Sequence, residues 1–117
     1  MARPRAAMSS GAMRRVASRV VRTLPGPFGA RAAEVVSMVQ RMPTRHEART
    51  MGRRRRAGLL GMFRPGFGGA PDAIVVFRCP ILRASRSRRY ARVHVTLTVL
   101  HELGHALGLD EGAVAHL

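Results

Sequence analysis

A chain of 117 residues is long enough for one domain and too short for two. With four Phe, one Tyr and no Trp, any core must consist mostly of aliphatic side chains. The formal net charge is +15, all of it from arginine, and the single cysteine excludes an internal disulfide. No apolar run reaches the ~20 residues that span a bilayer, so we expect a soluble, cytoplasmic protein without a membrane span.

The N-terminal part of the chain predicts a tail, a helix and a strand. Residues 1–13, which contain no acid, predict a disordered tail before a single domain, residues 14–117. Apolar residues at helical spacing predict a helix over residues 14–24, stopped by the Pro-Gly-Pro that follows. Apolar β-branched residues over 33–42 predict a strand that ends at Pro43.

The next segment is the most cationic of the chain. Residues 43–57 have no apolar face and predict a solvated loop or a short helix, with four consecutive arginines at Arg53 to Arg56. Such charge attracts anions, so we expect weak, sequence-independent binding of polyanions. Because the arginines lack the interleaved aromatic residues that stack on bases, we interpret them first as solvated surface.

Two short apolar runs, residues 59–63 and 73–78, flank a turn-rich connection. They predict two strands of one sheet, the second of which ends at Pro80. Cys79 lies beside this apolar run, and we expect it to be a buried, unreactive thiol rather than a ligand or a nucleophile.

The last long element is ambiguous from its pattern. Residues 93–100 alternate apolar and polar side chains, which is typical of a strand. Other apolar residues fall at helical spacing, namely Val93, Leu97, Leu100, Leu103 and Leu107. We predict a helix from about Tyr90 to Leu107, because the motif inside it can bind a metal only from a helix. Gly108 is the expected C-terminal stop.

The motif His-Glu-Leu-Gly-His at residues 101–105 predicts a zinc site. Residues four apart share one face of a helix, so His101 and His105 can bind the same Zn²⁺ at about 2.0–2.1 Å. Glu102 lies about 100° further around the helix. We predict that it is the general base for a water whose pKa the metal lowers towards about 7.

A third protein ligand would leave one coordination position open for water. We predict Glu111 as this ligand, because Gly108 breaks the helix and lets the chain bring a carboxylate back to the metal. Asp110 is the alternative ligand. Both acids also have an ordinary structural interpretation, Asp110 as the N-cap of a last turn and Glu111 as its first residue. Solvent or another residue would then complete the metal shell.

The other histidines are weaker candidates. His94 lies seven residues before His101 and could share its helical face, where it could at most support the ligands. A role in helix packing or on the surface is the simpler interpretation. We expect His46 and His116 to be solvated.

The chain resembles the small bacterial zincin-like metallopeptidases. The resemblance is carried by LLGMFRP (59–65), PDAIVVFRCPI (71–81) and TVLHELGHALGLDEGAVAHL (98–117), and more weakly by residues 23–44. It implies a minimal α+β, zincin-like domain in which a small sheet packs on the C-terminal helix that bears the motif.

Three features depart from the family pattern. Ala106 stands where members often carry a second histidine, and Cys79 stands where an arginine is usual. The N-terminal half is basic where that of relatives is acidic. The first two departures leave the predicted site intact, while the third bears on the substrate and the partners.

Two classes of function follow from these features. The motif predicts a zinc-dependent metallopeptidase acting on a peptide or protein substrate, with a preference for acidic peptides. The arginines support an alternative, a non-enzymatic cationic module that binds nucleic acid or an acidic protein. A purely structural zinc normally has four ligands, mostly thiolates, which one cysteine far from the motif does not provide. A catalytically inactive relative is the third interpretation, against which the intact motif argues.

Overall fold

The computed structural model describes residues 7–24 and 26–108. In chain order its elements are α1 (Ser10–Arg22), α2 (Gly26–Ala32), β1 (Val36–Gln40), α3 (Arg45–Thr50), a 3₁₀ turn (Arg56–Gly58), β2 (Gly61–Arg64), β3 (Ala73–Phe77), α4 (Arg78–Ala84) and α5 (Arg88–Ala106). Within these two ranges, no helix has the length and apolar character needed to cross a membrane.

The central strand of the three-stranded mixed sheet is β3. It pairs in parallel with β1 and antiparallel with β2. All of its residues are buried, because alternate side chains enter two different clusters. Ile74 and Val76 join the main core between the sheet and the helices, while Val75 and Phe77 pack with Leu59 on the other side. The two apolar runs are therefore strands of one sheet, as predicted, and the fold is α+β.

The long helix α5 lies on the sheet and on α1. Its buried stripe consists of side chains four residues apart, Ala91, Val95, Val99 and Leu103. Val93 and Leu97, which helped to predict the helix, are 46% and 57% exposed. The periodicity therefore predicted the helix correctly but not the face that it buries.

Both ends of α5 have local causes. The Ser87 hydroxyl accepts a hydrogen bond from the backbone N–H of Tyr90 at 3.3 Å and caps the first turn. The last helical residue is Ala106, and Gly108 follows with φ of 77°, a left-handed conformation that suits glycine. The predicted span from about Tyr90 to Leu107 and the predicted glycine stop are confirmed.

The prediction of a disordered tail is wrong for the residues before 14 that the structure describes as helix. The Ser9 hydroxyl accepts the backbone N–H of Ala12 at 3.1 Å, so α1 begins at Ser10. Met8 and Met13 are buried in the main core. Because these methionines pack in the same core as the sheet and α5, the domain begins earlier than residue 14. Composition alone did not show this packing.

Three smaller predictions also change. The strand β1 is shorter than the predicted 33–42. Pro80 does not end β3; it lies in the first turn of α4, where backbone N–H groups have no partner within the helix and proline is tolerated. Cys79 is only partly buried, and its backbone N–H donates to the carbonyl of Arg41 at 2.9 Å.

The short helix α3 is held in place by Glu47. Its carboxylate accepts the Thr44 backbone N–H at 2.8 Å, the Gln40 amide at 3.0 Å and the Arg64 guanidinium at 2.6 Å. Partial burial alone would raise the pKa of Glu47, but the hydrogen bonds from Thr44, Gln40 and Arg64 together lower it below its ordinary value of 4.5. One side chain thus ties α3 to both edge strands.

Candidate metal centre

The two motif histidines meet at the C-terminal end of α5. Their Nε2 atoms are 3.1 Å apart, and their ring planes cross at 79°. His101 is exposed and His105 is half-buried. The four-residue spacing on one regular helix is what brings the rings together, as the sequence predicted.

The distance between these nitrogens suits a shared metal ion. Two ligands about 2.05 Å from a tetrahedral zinc lie roughly 3.3 Å apart, and the observed separation is within a few tenths of an ångström of that value. Ligand atoms of His101, Glu102 and His105 all lie within 4.8 Å of one another. The residues present therefore fit a zinc ion without rearrangement of the helix.

Glu102 differs from the histidines in its surroundings. It is only 6% exposed, and among the residues that the structure describes it is the one buried charged side chain. It lies one position past His101 on the helix and lines the same depression as both rings. This is a suitable position for a base that acts beside a bound metal ion.

The metal centre opens into a depression of about 490 Å³, the metal cleft. One wall is α5, which contributes His94, Leu97 and Thr98 in addition to the motif. The opposite wall is the segment from Met51 to Gly61, including Leu59 and Leu60. Apolar side chains thus flank a polar floor, an arrangement that suits a peptide with its reacting carbonyl at the floor.

The sheet approaches the cleft through Gly61. A Cβ at this position would lie 2.4 Å from Cγ2 of Thr98 and 2.9 Å from the carbonyl oxygen of Val75. Only glycine therefore lets β2 lie this close to α5. Nothing in the sequence singled out Gly61, because its importance depends on a helix 37 residues further along the chain.

A hydrogen-bond chain fixes His94 in the wall of the cleft. The Ser85 hydroxyl donates to the carbonyl of Ile81 at 2.6 Å and lies 2.9 Å from Nδ1 of His94. Because the hydroxyl has one proton, Nδ1 must be the donor in the second bond. In the neutral ring Nε2 is then the acceptor. His94 is thus a packed residue that also lines the cleft. Its spacing of seven residues from His101 had suggested that the two share a helical face.

Some of the remaining predicted site residues lie outside the described part of the chain, and others lie within it. Glu111, its alternative Asp110, and His116 lie outside the described residues, so the choice of third ligand stays a prediction. His46 is exposed, as expected. Arg53 was expected to be solvated surface; it is exposed, yet it also lines the metal cleft. Sequence reasoning did not indicate Gly61 or Thr98 as cleft residues, and it did not place Arg53 in the cleft.

Comparison with known proteins agrees with this geometry. The profile of the zincin-like metallopeptidase family matches residues 32–117, which include the whole sheet, α5 and the motif. No curated protein matches the chain. The match covers well over half of the sequence and confirms the resemblance seen in three of its segments. The chain therefore belongs to the zincin-like metallopeptidase family.

Proposed function

We propose that the protein is a zinc-dependent peptidase in which Glu102 is the general base. The observation that carries this proposal is the pair of Nε2 atoms 3.1 Å apart, on the floor of a cleft that the Glu102 carboxylate also lines. Membership of a metallopeptidase family supports hydrolysis as the type of reaction.

The residues present divide the chemistry between them. His101 and His105 would hold the ion as neutral imidazoles, and Glu111 would complete the protein ligands. When bound, Zn²⁺ lowers the pKa of a water towards about 7 and polarises a peptide carbonyl. The Glu102 carboxylate accepts a proton from the attacking water and returns it to the nitrogen of the departing peptide. The low exposure of Glu102 keeps bulk water from competing for that proton.

The substrate has a natural place beside β2. Among the described strands, β2 pairs only with β3, so one of its edges is unpaired. Gly61, the first residue of this strand, lines the metal cleft opposite the motif, together with Leu59 and Leu60 just before it. An extended peptide could form main-chain hydrogen bonds with this edge while its reacting carbonyl faces the histidines.

The direct test is cleavage of a peptide library, followed by mass spectrometry. The zinc-loaded protein should cleave, the chelated protein should not, and added zinc should restore cleavage. Glu102→Gln is the matched control, because it keeps the size of the side chain. Equal cleavage by the loaded wild type and by Glu102→Gln would mean that the activity comes from elsewhere, and the proposed mechanism would be wrong.

A further inference from the structure

A second depression adjoins the metal cleft. It has a volume of about 660 Å³ and lies between α3, the loop after it, and α4. We call it the arginine groove, because seven arginines of the described chain line it: Arg45 and Arg49 of α3, Arg53 to Arg56 of the loop, and Arg83 of α4. Arg53 lines both depressions, so the groove and the cleft adjoin at that residue.

The end of α3 directs the loop arginines into this position. The N–H of Gly52 donates to the carbonyl of Arg49 at 3.0 Å, and the N–H of Arg53 donates to the carbonyl of Ala48 at 2.8 Å. With φ of 73° at Gly52, this is the common glycine-terminated helix end. Arg56 is fixed separately, since its Nε donates to the carbonyl of Pro43 at 2.7 Å. Hydrogen bonds to backbone carbonyls therefore position the loop in which these arginines cluster.

The carboxylates of residues 7–24 and 26–108 do not neutralise the positive charge of the groove. Within those ranges, no acidic side chain lines it. Glu34 and Asp72 pair with Arg31, and Glu47 pairs with Arg64. Within the described part of the chain, none of the seven groove arginines has a salt bridge. Seven like charges around one concave surface produce a strong local positive potential, which attracts an anionic ligand.

The lining of the groove favours an acidic peptide over a nucleic acid. Apart from the arginines, the described residues that line it are Met42, Ala48, Gly52 and Ala57, and none of these offers an aromatic ring for base stacking. The groove also adjoins, at Arg53, the cleft where a peptide is proposed to be cut. We propose that the arginine groove binds an acidic segment of the substrate, so that the enzyme prefers peptides with Asp and Glu on one side of the cleaved bond. This inference rests on the proposed function.

Binding can be measured apart from cleavage. The zinc-loaded Glu102→Gln protein is titrated into a fluorescein-labelled oligoglutamate peptide at about 0.1 M salt, where the screening length is about 10 Å, and anisotropy is recorded. The groove variant then replaces Arg49, Arg54 and Arg55 by Gln in the same background. Each exposed ion pair contributes about twofold to threefold in affinity, so we expect this variant to bind about tenfold more weakly.

A matched control removes the same charge elsewhere. It carries Arg15→Gln, Arg22→Gln and Arg89→Gln, three exposed arginines outside the groove. All six substituted side chains are exposed, so both variants should fold. We expect the control to bind the oligoglutamate within about twofold of its parent. If the control loses as much affinity as the groove variant, only net charge matters and the inference is wrong.

Cleavage provides the second readout. Two fluorogenic peptides with the same reacting bond, one with an acidic flank and one with a neutral flank, give a ratio of kcat/KM values. For this readout the groove and control substitutions are made with Glu102 intact. The ratio should exceed one for the wild type, fall towards one with the groove substitutions, and persist with the control substitutions. Cleavage of both peptides at equal rates would overturn the inference and leave the proposed function intact.

Two further outcomes separate the remaining possibilities. If no peptide is cleaved but oligoglutamate binding depends on the groove, the proposed function fails while the acidic-ligand site stands without its role in cleavage. A single-stranded oligothymidylate of equal charge is the competitor. If it binds the groove more tightly than the oligoglutamate does, the groove is a nucleic-acid surface and the inference is overturned.

Discussion

The metal cleft and the arginine groove share Arg53, but the sequence encodes them differently. The two proposed metal ligands within the described chain, His101 and His105, lie four residues apart on one helix, where their relative position follows from the helical repeat. The groove arginines come from α3, a loop and α4, and only the packing of these segments brings them together. The comparison teaches that a site on one helix should tolerate loss of distant contacts, whereas a site built from several segments should not.

The largest effect is expected from the metal ligands. His101→Ala or His105→Ala should reduce zinc from about one ion per chain to none after dialysis, with loss of all zinc-dependent cleavage, because one ring cannot replace a pair of ligands. Metal analysis of the purified variants measures this. Retention of stoichiometric zinc by both variants would show that the ion binds elsewhere.

Glu102→Gln should separate catalysis from metal binding within the cleft. Without the base, cleavage should fall by about 10²–10⁴-fold, or roughly 3–5 kcal/mol of barrier, while zinc content stays near that of the wild type. Steady-state kinetics on zinc-loaded protein provide the measurement. A variant that has lost its zinc would instead make Glu102 a ligand.

Glu111→Ala should weaken zinc binding by at least about tenfold and lower activity as a consequence, since Glu111 is the proposed third ligand. Competition with a calibrated chelator measures the affinity, and Asp110→Ala is the matched control. The ligand assignment moves by one residue if Asp110→Ala reduces the affinity and Glu111→Ala does not.

Gly61→Ala should destabilise the contact between β2 and α5. The new methyl group would clash with Thr98 and with the backbone at Val75, and overpacking of this kind costs about 1–3 kcal/mol. Chemical denaturation measures the free energy of unfolding. Thr98→Ser removes the nearer clash, so the double variant should recover part of the loss. If Gly61→Ala is as stable as the wild type, the close approach is not required.

The smallest effect is expected at Glu47, which supports the groove from a distance. Glu47→Gln should lower the free energy of unfolding by about 1 kcal/mol at pH 7, because it loses the charge that Arg64 contacts. The pKa of Glu47 is lowered on folding, so the unfolded chain binds its proton more readily. The stability that ionised Glu47 gives the folded protein is fully present above pH 4.5, the pKa of Glu47 in the unfolded chain. It is lost as the pH falls through the lower pKa of Glu47 in the folded protein.

Denaturation of the wild type and Glu47→Gln at several pH values tests whether the stability contributed by Glu47 is lost at low pH. The two stability curves should differ at neutral pH and converge below about pH 4.5. Zinc content should not change, because His101 and His105 lie on α5. The oligoglutamate affinity should fall, because α3 carries part of the groove. If Glu47→Gln also lost zinc, the metal cleft would depend on distant contacts as the arginine groove does, and the contrast between them would be wrong.

Sequence reasoning was most successful where one segment contains all the information. The motif predicted a helix over 90–107 against a competing strand pattern, because only a helix presents His101 and His105 to one ion. The paired apolar runs predicted two strands of one sheet. Sequence reasoning failed at Met8 and Met13, whose burial depends on partners in distant elements. It also failed at Pro80, which can end a strand or enter the first turn of a helix.

The sequence alone determined the position of the motif helix and the pairing of two histidines on it, because the helical repeat is a property of neighbouring residues. The α+β class was implied by the resemblance of three of its segments to a known family. The tertiary structure decided which face of α5 is buried, why residue 61 must be glycine, and that Arg53 lies between two depressions. These features arise between segments far apart in the chain. Their geometry is set by packing, which local periodicity does not specify.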